Sequence, residues 1–358
     1  MGGTRPNFIK LAPLYHQLTK EDSLSIEICH TGQHYDWNMS GAFFEMLDIP
    51  QAHHFLGSQG TSVSTVIGDT ISRLDPVIQK GKYDLVIVFG DVNATIAGAI
   101  VAGHNHIQVM HVEAGLRSFD RTMPEEINRV LTDHISDHLM VSEQSGIDNL
   151  MNEGISTDKI HFVGNLMIEC LLMFQDNWRH IVLDWELEKK IKDKEFFLST
   201  FHRPENVDNP KALKKVIDIL GSIPDSKLII LPLHPRTHGR LEEFGLMENL
   251  HQIDNLIVTS PMSYFEFLHL VSRSQMVITD SGGIQEETSF LNVPCLTFRK
   301  NTERPITIHS GTNRLMDINN PDSLEALNSL AVSKSHADLP FWDNEVSQRI
   351  IKVIKSSI

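Results

Sequence analysis

Short β-branched apolar runs alternate with longer amphipathic segments along the whole chain. Ile26–Cys29, Leu85–Phe89, Gln108–Val112 and Leu139–Val141 read as strands. So does a second series: Phe196–Phe201, Leu228–Leu233, Leu256–Thr259, Met276–Thr279 and Cys295–Phe298. Helical spacing marks Pro6–Leu18, Val63–Gln79, Glu125–His134, Pro210–Leu220, Ser263–Val271 and Ile284–Leu291. Continuous apolar runs bounded by turns suit strands covered on both faces, which predicts an α/β class with parallel, doubly wound sheets. The charged stretch from Trp178 to Glu195 breaks the rhythm and supplies no strand, so the domain boundary is placed there. The expected division is an N-terminal Rossmann-like domain over 1–176, a C-terminal one over 177–340, and a final helix within 341–358 that packs back on the first domain. One strand is missing from this scheme. A doubly wound domain carries a strand just before its Gly-rich turn. Here Met1-Gly2-Gly3-Thr4-Arg5-Pro6 opens straight into a helix pattern, so the start is read as a candidate truncation.

The length of 358 residues fits two domains, and 41% hydrophobic residues can fill a core in each. Lys and Arg total 31 against 46 Asp and Glu, for a formal charge of −15. That balance argues against a nucleic-acid partner or an anionic membrane surface. It leaves room for an anionic small molecule, because a few arginines and a helix N-terminus hold a phosphate inside an acidic protein. No apolar run approaches a membrane span. Cys29, Cys170 and Cys295 sit in apolar stretches and are expected as buried free thiols of a reducing cytoplasm. The 19 histidines include pairs such as His53–His54 and His104–His106 that lack ligand spacing, so no metal site is expected.

Four constellations carry candidate chemistry. In Thr279-Asp280-Ser281-Gly282-Gly283-Ile284-Gln285-Glu286-Glu287 a strand runs into a helix. Two glycines let a diphosphate approach the backbone, helix N–H groups and the Ser281 hydroxyl donate to it, and Glu287 suits the hydroxyls of a ribose. The alternative is a Gly-rich turn whose acids complement the helix dipole. In Gly3-Thr4-Arg5-Pro6, Arg5 stands before the first helical turn and Lys10 one turn further on, both candidates for a phosphate. Asp91 follows Leu85–Phe89 through Gly90, and Glu113 ends Gln108–Val112. Acids at the carboxyl ends of parallel strands face the ligand crevice. Glu125, Arg129 and Asp133 recur every four residues and share a helix face. In the second half, His202-Arg203 and His234-Pro235-Arg236 end two strands, and Arg304 follows a third in Thr302-Glu303-Arg304-Pro305.

Taken together, GTRPNFIK, HTGQHYD, FGDVNAT, HVEAGLRSFDRTMPEEINRVLTDH, FHRPENVDNP, HPRT, TDSGGIQEE and TERP resemble the UDP-N-acetylglucosamine 2-epimerase family from Gly3 to about Ile350. The resemblance implies two Rossmann-like domains in a glycosyltransferase-B-like arrangement with the ligand in the interdomain cleft, usually a cytoplasmic homodimer, with no cofactor and no metal. It implies that Arg5, His202, Ser281, Gly282, Gly283, Glu287 and Arg304 hold UDP. Lys10, Arg203 and His234 add positive charge beside them. Asp91, Glu113 and Glu125 fall near the sugar as acid, base or electrostatic groups, with His202 a further catalytic candidate. Gly90-Asp91-Val92 and Asp280-Ser281-Gly282-Gly283 favour the non-hydrolysing branch over the hydrolysing one, which tends to carry Gly-Asp-Arg and a Ser-rich loop. Relatives often carry Asp where this chain has Glu169. Bacterial members of the branch bind a second UDP-sugar, and Gln33–His34 matches part of that region; allostery stays an open alternative. So do a related UDP-amido sugar as substrate, sugar transfer to an acceptor, and a UDP-sugar-binding protein without turnover.

Overall fold

In the computed structural model the described residues are 1–32, 37–320 and 338–358; Gln33 and His34 lie outside them. The chain divides into two compact units, Met1–Phe174 with Pro340–Ile358, and Gln175–Leu339.

The first unit holds strands β1 (Cys29–His30), β2 (His54–Phe55), β3 (Leu85–Phe89), β4 (Gln108–Ala114), β5 (His138–Val141) and β6 (Ile160–Phe162). β1 pairs β2, and a four-stranded parallel sheet runs β3-β4-β5-β6. Of the expected strand Ile26–Cys29 only the end forms, because its partner β2 is two residues long and pairing begins at Cys29↔His54. Among the described residues no strand precedes the first helix, Arg5–Leu18. Instead Gly2 forms a single parallel bridge with His30, and the Met1 ammonium donates to the Ile87 carbonyl at 2.8 Å. Burial pulls that ammonium down to about 6. The helix start is pinned by Asn7, whose side-chain oxygen accepts from the Gly3 and Thr4 amides while its nitrogen donates to the Phe89 carbonyl at 2.9 Å. The β3 terminus and the first helix are thereby one rigid corner.

The helix Val346–Ser357 belongs to this unit and meets the helices Arg5–Leu18 and Leu166–Met173. Buried Glu169 receives the Ser347 amide at 2.6 Å and the Ser347 hydroxyl at 2.5 Å, capping it. The segment before that helix crosses Gly164 so closely that a Cβ there would lie 1.9 Å from the Phe341 carbonyl oxygen, and Gly164 has φ +95°. Gly164→Ala is therefore expected to cost more than about 2 kcal/mol. A thermal melt checks it; an unchanged midpoint would show that the segment can step aside.

The second unit holds β7 (Phe196–Thr200), β8 (Leu228–Pro232), β9 (Leu256–Thr259), β10 (Met276–Thr279), β11 (Cys295–Phe298) and β12 (Asn313–Met316). All pairings are parallel and the order is β12-β11-β10-β7-β8-β9. Winding runs one way from β7 to β9 and the other from β10 to β12, so the switch point falls between β7 and β10. Open α/β sheets bind ligands just beyond the strand ends at such a point. One apolar cluster covers each face, around Phe201, Leu231 and Phe298 on one side and Phe196, Leu198 and Val277 on the other. The stretch Trp178–Glu195 adds no strand here either; it carries the helix Trp185–Ile191, which closes the second cluster through Leu187 and Ile191.

Cys29, Cys170 and Cys295 are buried and form no disulfide among the described residues, and burial pushes the Cys29 and Cys295 thiols up to about 11. Among the described residues no helix is long and apolar enough to cross a membrane.

Candidate active site

In the first unit two carboxylates stand at neighbouring strand ends, each beside its own cation. β4 carries a bulge between Val112 and Ala114, and Glu113 sits in it with φ +70°. That left-handed backbone is unfavourable for a residue with a side chain, so the surrounding contacts must hold it. Lys10 pairs with Glu113, and both are almost fully buried. Gly90, φ +64°, lies against this pair; a Cβ there would come within 3.0 Å of Glu113 Oε2 and 3.3 Å of Lys10 Nζ. Asp91 follows, paired with Arg129, whose other nitrogen donates to Glu126 at 2.6 Å. Asn128 donates to the Asp91 carbonyl at 3.0 Å.

The sequence reading faced Lys10 toward a phosphate, and the structure turns it onto Glu113. The shared face of Glu125, Arg129 and Asp133 is also redistributed. Arg129 meets Glu126 three residues back, Asp133 goes to His111 and Arg117, and Glu125 stays half-buried without an ion pair among the described residues. Glu126 accepts from the Ser118 amide and hydroxyl and the Phe119 amide, which makes it the anchor of the loop before the helix. Arg5 is exposed, its guanidinium 6.0 Å from the Phe43 ring.

In the second unit the site forms at the switch point. The loop after β7 is tied to the loop after β10 by Asp280, which is fully buried. Its carboxylate accepts from the His202 amide at 3.1 Å, the Arg203 amide at 2.9 Å and the Asn206 side chain at 3.1 Å. His202 Nδ1 stands 3.1 Å away. Burial raises the cost of that charge, but the His202 ring and these donors outweigh it and bring the carboxyl below its ordinary value. Asp280 thus ties the loop after β7 to the loop after β10. His202 and exposed His234 lie ring to ring with centroids 5.2 Å apart.

The helix Gly282–Phe290 begins where three guanidinium groups converge. A Cβ on Gly282 would lie 3.3 Å from Arg304, 3.6 Å from Arg299 and 3.8 Å from Arg203. Ser281 precedes it at the cap position and Gly283 follows it in the first turn. Arg203 Nε is a buried donor with no hydrogen-bond partner among the described residues. Arg299 is clamped by Glu303 at 2.8 and 3.1 Å, and Arg304 meets Glu286 at 2.8 Å. Helix N–H groups, the dipole and three cations make this an anion cradle. Arg299 was missed by the sequence reading; its position just past the end of β11 was the available signal. Further along the helix, Glu287 is buried. Burial pushes its carboxyl up to about 8 against the neighbouring Tyr264 hydroxyl, with Glu286 adding to the rise.

The family model described as UDP-N-acetylglucosamine 2-epimerase matches residues 16–355. A Methanocaldococcus jannaschii protein named UDP-N-acetylglucosamine 2-epimerase is 40% identical over 360 aligned residues, covering 98% of this chain and 97% of that one. A Pseudomonas aeruginosa protein named UDP-2,3-diacetamido-2,3-dideoxy-D-glucuronate 2-epimerase is 40% identical over 317 residues, covering 88% of this chain and 86% of that one. The crystal structure of the Methanocaldococcus jannaschii UDP-GlcNAc 2-epimerase in complex with UDP-GlcNAc and UDP superposes with a TM-score of 0.89 at 39% identity, over 99% of this chain and 98% of that one. Its fold is therefore that of an α/β protein built from two Rossmann-like units, and the chain belongs to the UDP-N-acetylglucosamine 2-epimerase family of isomerases.

Proposed function

We propose that this chain is a non-hydrolysing epimerase that interconverts UDP-GlcNAc and UDP-ManNAc for the supply of cell-surface polysaccharide precursors. The observation that carries the reading is the pair of strand-end carboxylates, Asp91 and Glu113, each held beside its own cation. The C2 proton of an amido sugar has no adjacent carbonyl to stabilise a carbanion. Breaking the C1–O bond supplies the driving force, with UDP departing into positive charge from Arg203, Arg299, Arg304 and His202, and from Arg5. A carboxylate removes the C2 proton as UDP leaves, giving a bound 2-acetamidoglucal. UDP then returns while a second acid protonates the other face of C2. Asp91, Glu113, Glu125 and His202 are the candidates for these two transfers. Ser281, Gly282 and Gly283 hold the diphosphate and Glu287 the ribose.

The relative of equal identity that is named for a diacetamido-glucuronate supports a second substrate reading. Incubation with each nucleotide sugar, followed by ion-pair chromatography, decides between them. The expected result is UDP-ManNAc from UDP-GlcNAc, with the lower kcat/KM on the diacetamido acid; the reverse order would reassign the substrate. Free N-acetylmannosamine would mark hydrolysis, and a transferred sugar would mark a glycosyltransferase.

Glu287 gives this reading a pH signature. A carboxylate accepting from both ribose hydroxyls must be ionised, whereas burial holds this one protonated below about 8. Ligand binding therefore expels a proton. UDP-GlcNAc affinity is expected to be about 20-fold weaker near pH 6.5 than near pH 8.5, and Glu287→Gln to flatten that profile. Equal slopes in the two proteins, read by calorimetry, would remove Glu287 from the ribose. The linkage to stability has the opposite slope. The folded-state value lies above the ordinary 4.5, so the folded protein holds the proton longer and stability falls as pH rises from about 4.5 to about 8.

The assembly is read as a homodimer in the cytoplasm. The helix Pro124–Ile135 buries polar Glu126, Asn128, Arg129 and Asp133, and it leaves Ile127, Leu131 and Ile135 half-exposed in one stripe. Such a stripe suits contact with a second copy. Twice the 40.5 kDa chain mass in solution is the check. Three buried cysteines without a disulfide among the described residues suit a reducing compartment.

A further inference from the structure

Both acid-bearing turns are tied to one buried side-chain pair. His111 lies in the middle of β4 and is fully buried, as is Asp133 on the helix Pro124–Ile135. His111 Nε2 is 2.7 Å from the Gly90 carbonyl oxygen. A carbonyl only accepts, so this nitrogen carries the donated proton. His111 Nδ1 is 2.6 Å from Asp133 Oδ1. Asp133 Oδ2 accepts from the Gly115 amide at 3.1 Å and from Arg117 at 2.7 Å, and Glu153 holds Arg117 on its far side. Burial works against the Asp133 charge, and His111 and Arg117 outweigh it, bringing the carboxyl below its ordinary value.

One carboxylate thus reaches, through His111, the carbonyl just before Asp91 and, directly, the amide two residues after Glu113. Gly90, Glu113 and Gly115 all have φ between +64° and +80°. At Glu113 that backbone is costly and persists only where the surrounding contacts hold it, and the two glycines adopt it without a side chain to fix the turn. Gly90 also lies beside the Glu113 carboxylate, where a Cβ in its place would come within 3.0 Å of Oε2. Replacing a buried ionic network by apolar side chains commonly costs nothing in stability, so stability alone does not account for this one.

We propose that His111 and Asp133 are positioning residues for proton transfer, fixing the Gly90 and Gly115 turns and so the spacing of Asp91 and Glu113. The proposal rests on the reading of those two acids given above. His111→Phe keeps the ring volume and removes the donor; His111→Gln restores a donor at the reach of Nε2; His111→Asn is one methylene too short. His111→Phe is expected to lower kcat at least ~30-fold, the scale of a reacting group misplaced by a fraction of an ångström. KM and UDP affinity should stay within about 3-fold, since the uniform binding contacts are elsewhere. His111→Gln is expected to recover most of the turnover. If His111→Phe does not fold, the ordering Gln above Asn in kcat carries the test. Normal turnover in His111→Phe, or Gln and Asn falling equally, would overturn the proposal. Wild-type protein run alongside separates the two failures: no hydrogen exchange at C2 in the wild type overturns the epimerase reading, whereas full exchange in His111→Phe overturns the positioning role.

Discussion

Glu113→Gln is expected to keep UDP and lose turnover by at least ~100-fold, the scale of lost acid–base help. The substitution is nearly isosteric, so the bulge and the left-handed backbone at residue 113 have no steric reason to rearrange. What disappears is the charge and the proton-accepting oxygen. The proposed UDP contacts lie mainly at the Gly282 cradle, which belongs to the other unit. Lys10 loses its counter-charge while remaining almost fully buried, so a stability loss of about 1–3 kcal/mol should accompany the effect. Calorimetry with UDP and steady-state kinetics on the same sample separate binding from chemistry. Unchanged turnover would take Glu113 out of the mechanism.

Asp280→Asn is expected to show the opposite profile, with a loss of UDP affinity of at least about 10-fold as the loop carrying His202 and Arg203 comes loose. The carboxylate accepts from two amides and one side-chain amide, with the His202 ring alongside. Asparagine offers one accepting oxygen and turns an NH2 toward N–H donors. The expected destabilisation is about 2–4 kcal/mol, since hydrogen bonds to a buried charge are involved. Because the folded-state value of Asp280 lies below its ordinary one, its contribution is present at neutral pH and lost as pH falls through the acid range. A variant that binds UDP normally would show that the loop is held by something other than Asp280.

Most strands were legible because buried parallel strands are written as unbroken apolar runs, as in Leu85–Phe89 and Met276–Thr279, whereas β2, β6 and β12 are two to four residues long and mostly half-buried or exposed and gave no such run. The helices Asn93–His104 and Leu166–Met173 went unseen for the converse reason. They are buried nearly all round and rich in Ala, Gly, Leu and Met, so no polar face gives them a helical period. Strand-end acids could be located from position alone. Their partners could not: Lys10 and Glu113 are 103 residues apart and Arg129 and Asp91 38, and nothing local in the chain connects them. Local spacing does not separate adjacent Glu125 and Glu126, because a helix start favours an acid at either position and only the fold decides which one is buried. Asp280 was hidden in the same way. Within the Gly-rich motif the candidate chemistry falls on Ser281, Gly282, Gly283 and Glu287, and only the strand order beside β7 shows that Asp280 spans the switch point.

The most direct measurement is NMR of the chain with UDP-GlcNAc in deuterated water. Elimination and re-addition put solvent deuterium at C2 of both UDP-GlcNAc and UDP-ManNAc as the two interconvert, with no free amino sugar building up. Recovery of the nucleotide sugar with its C2 hydrogen intact, after binding has been demonstrated on the same sample, would contradict the proposed chemistry at its root.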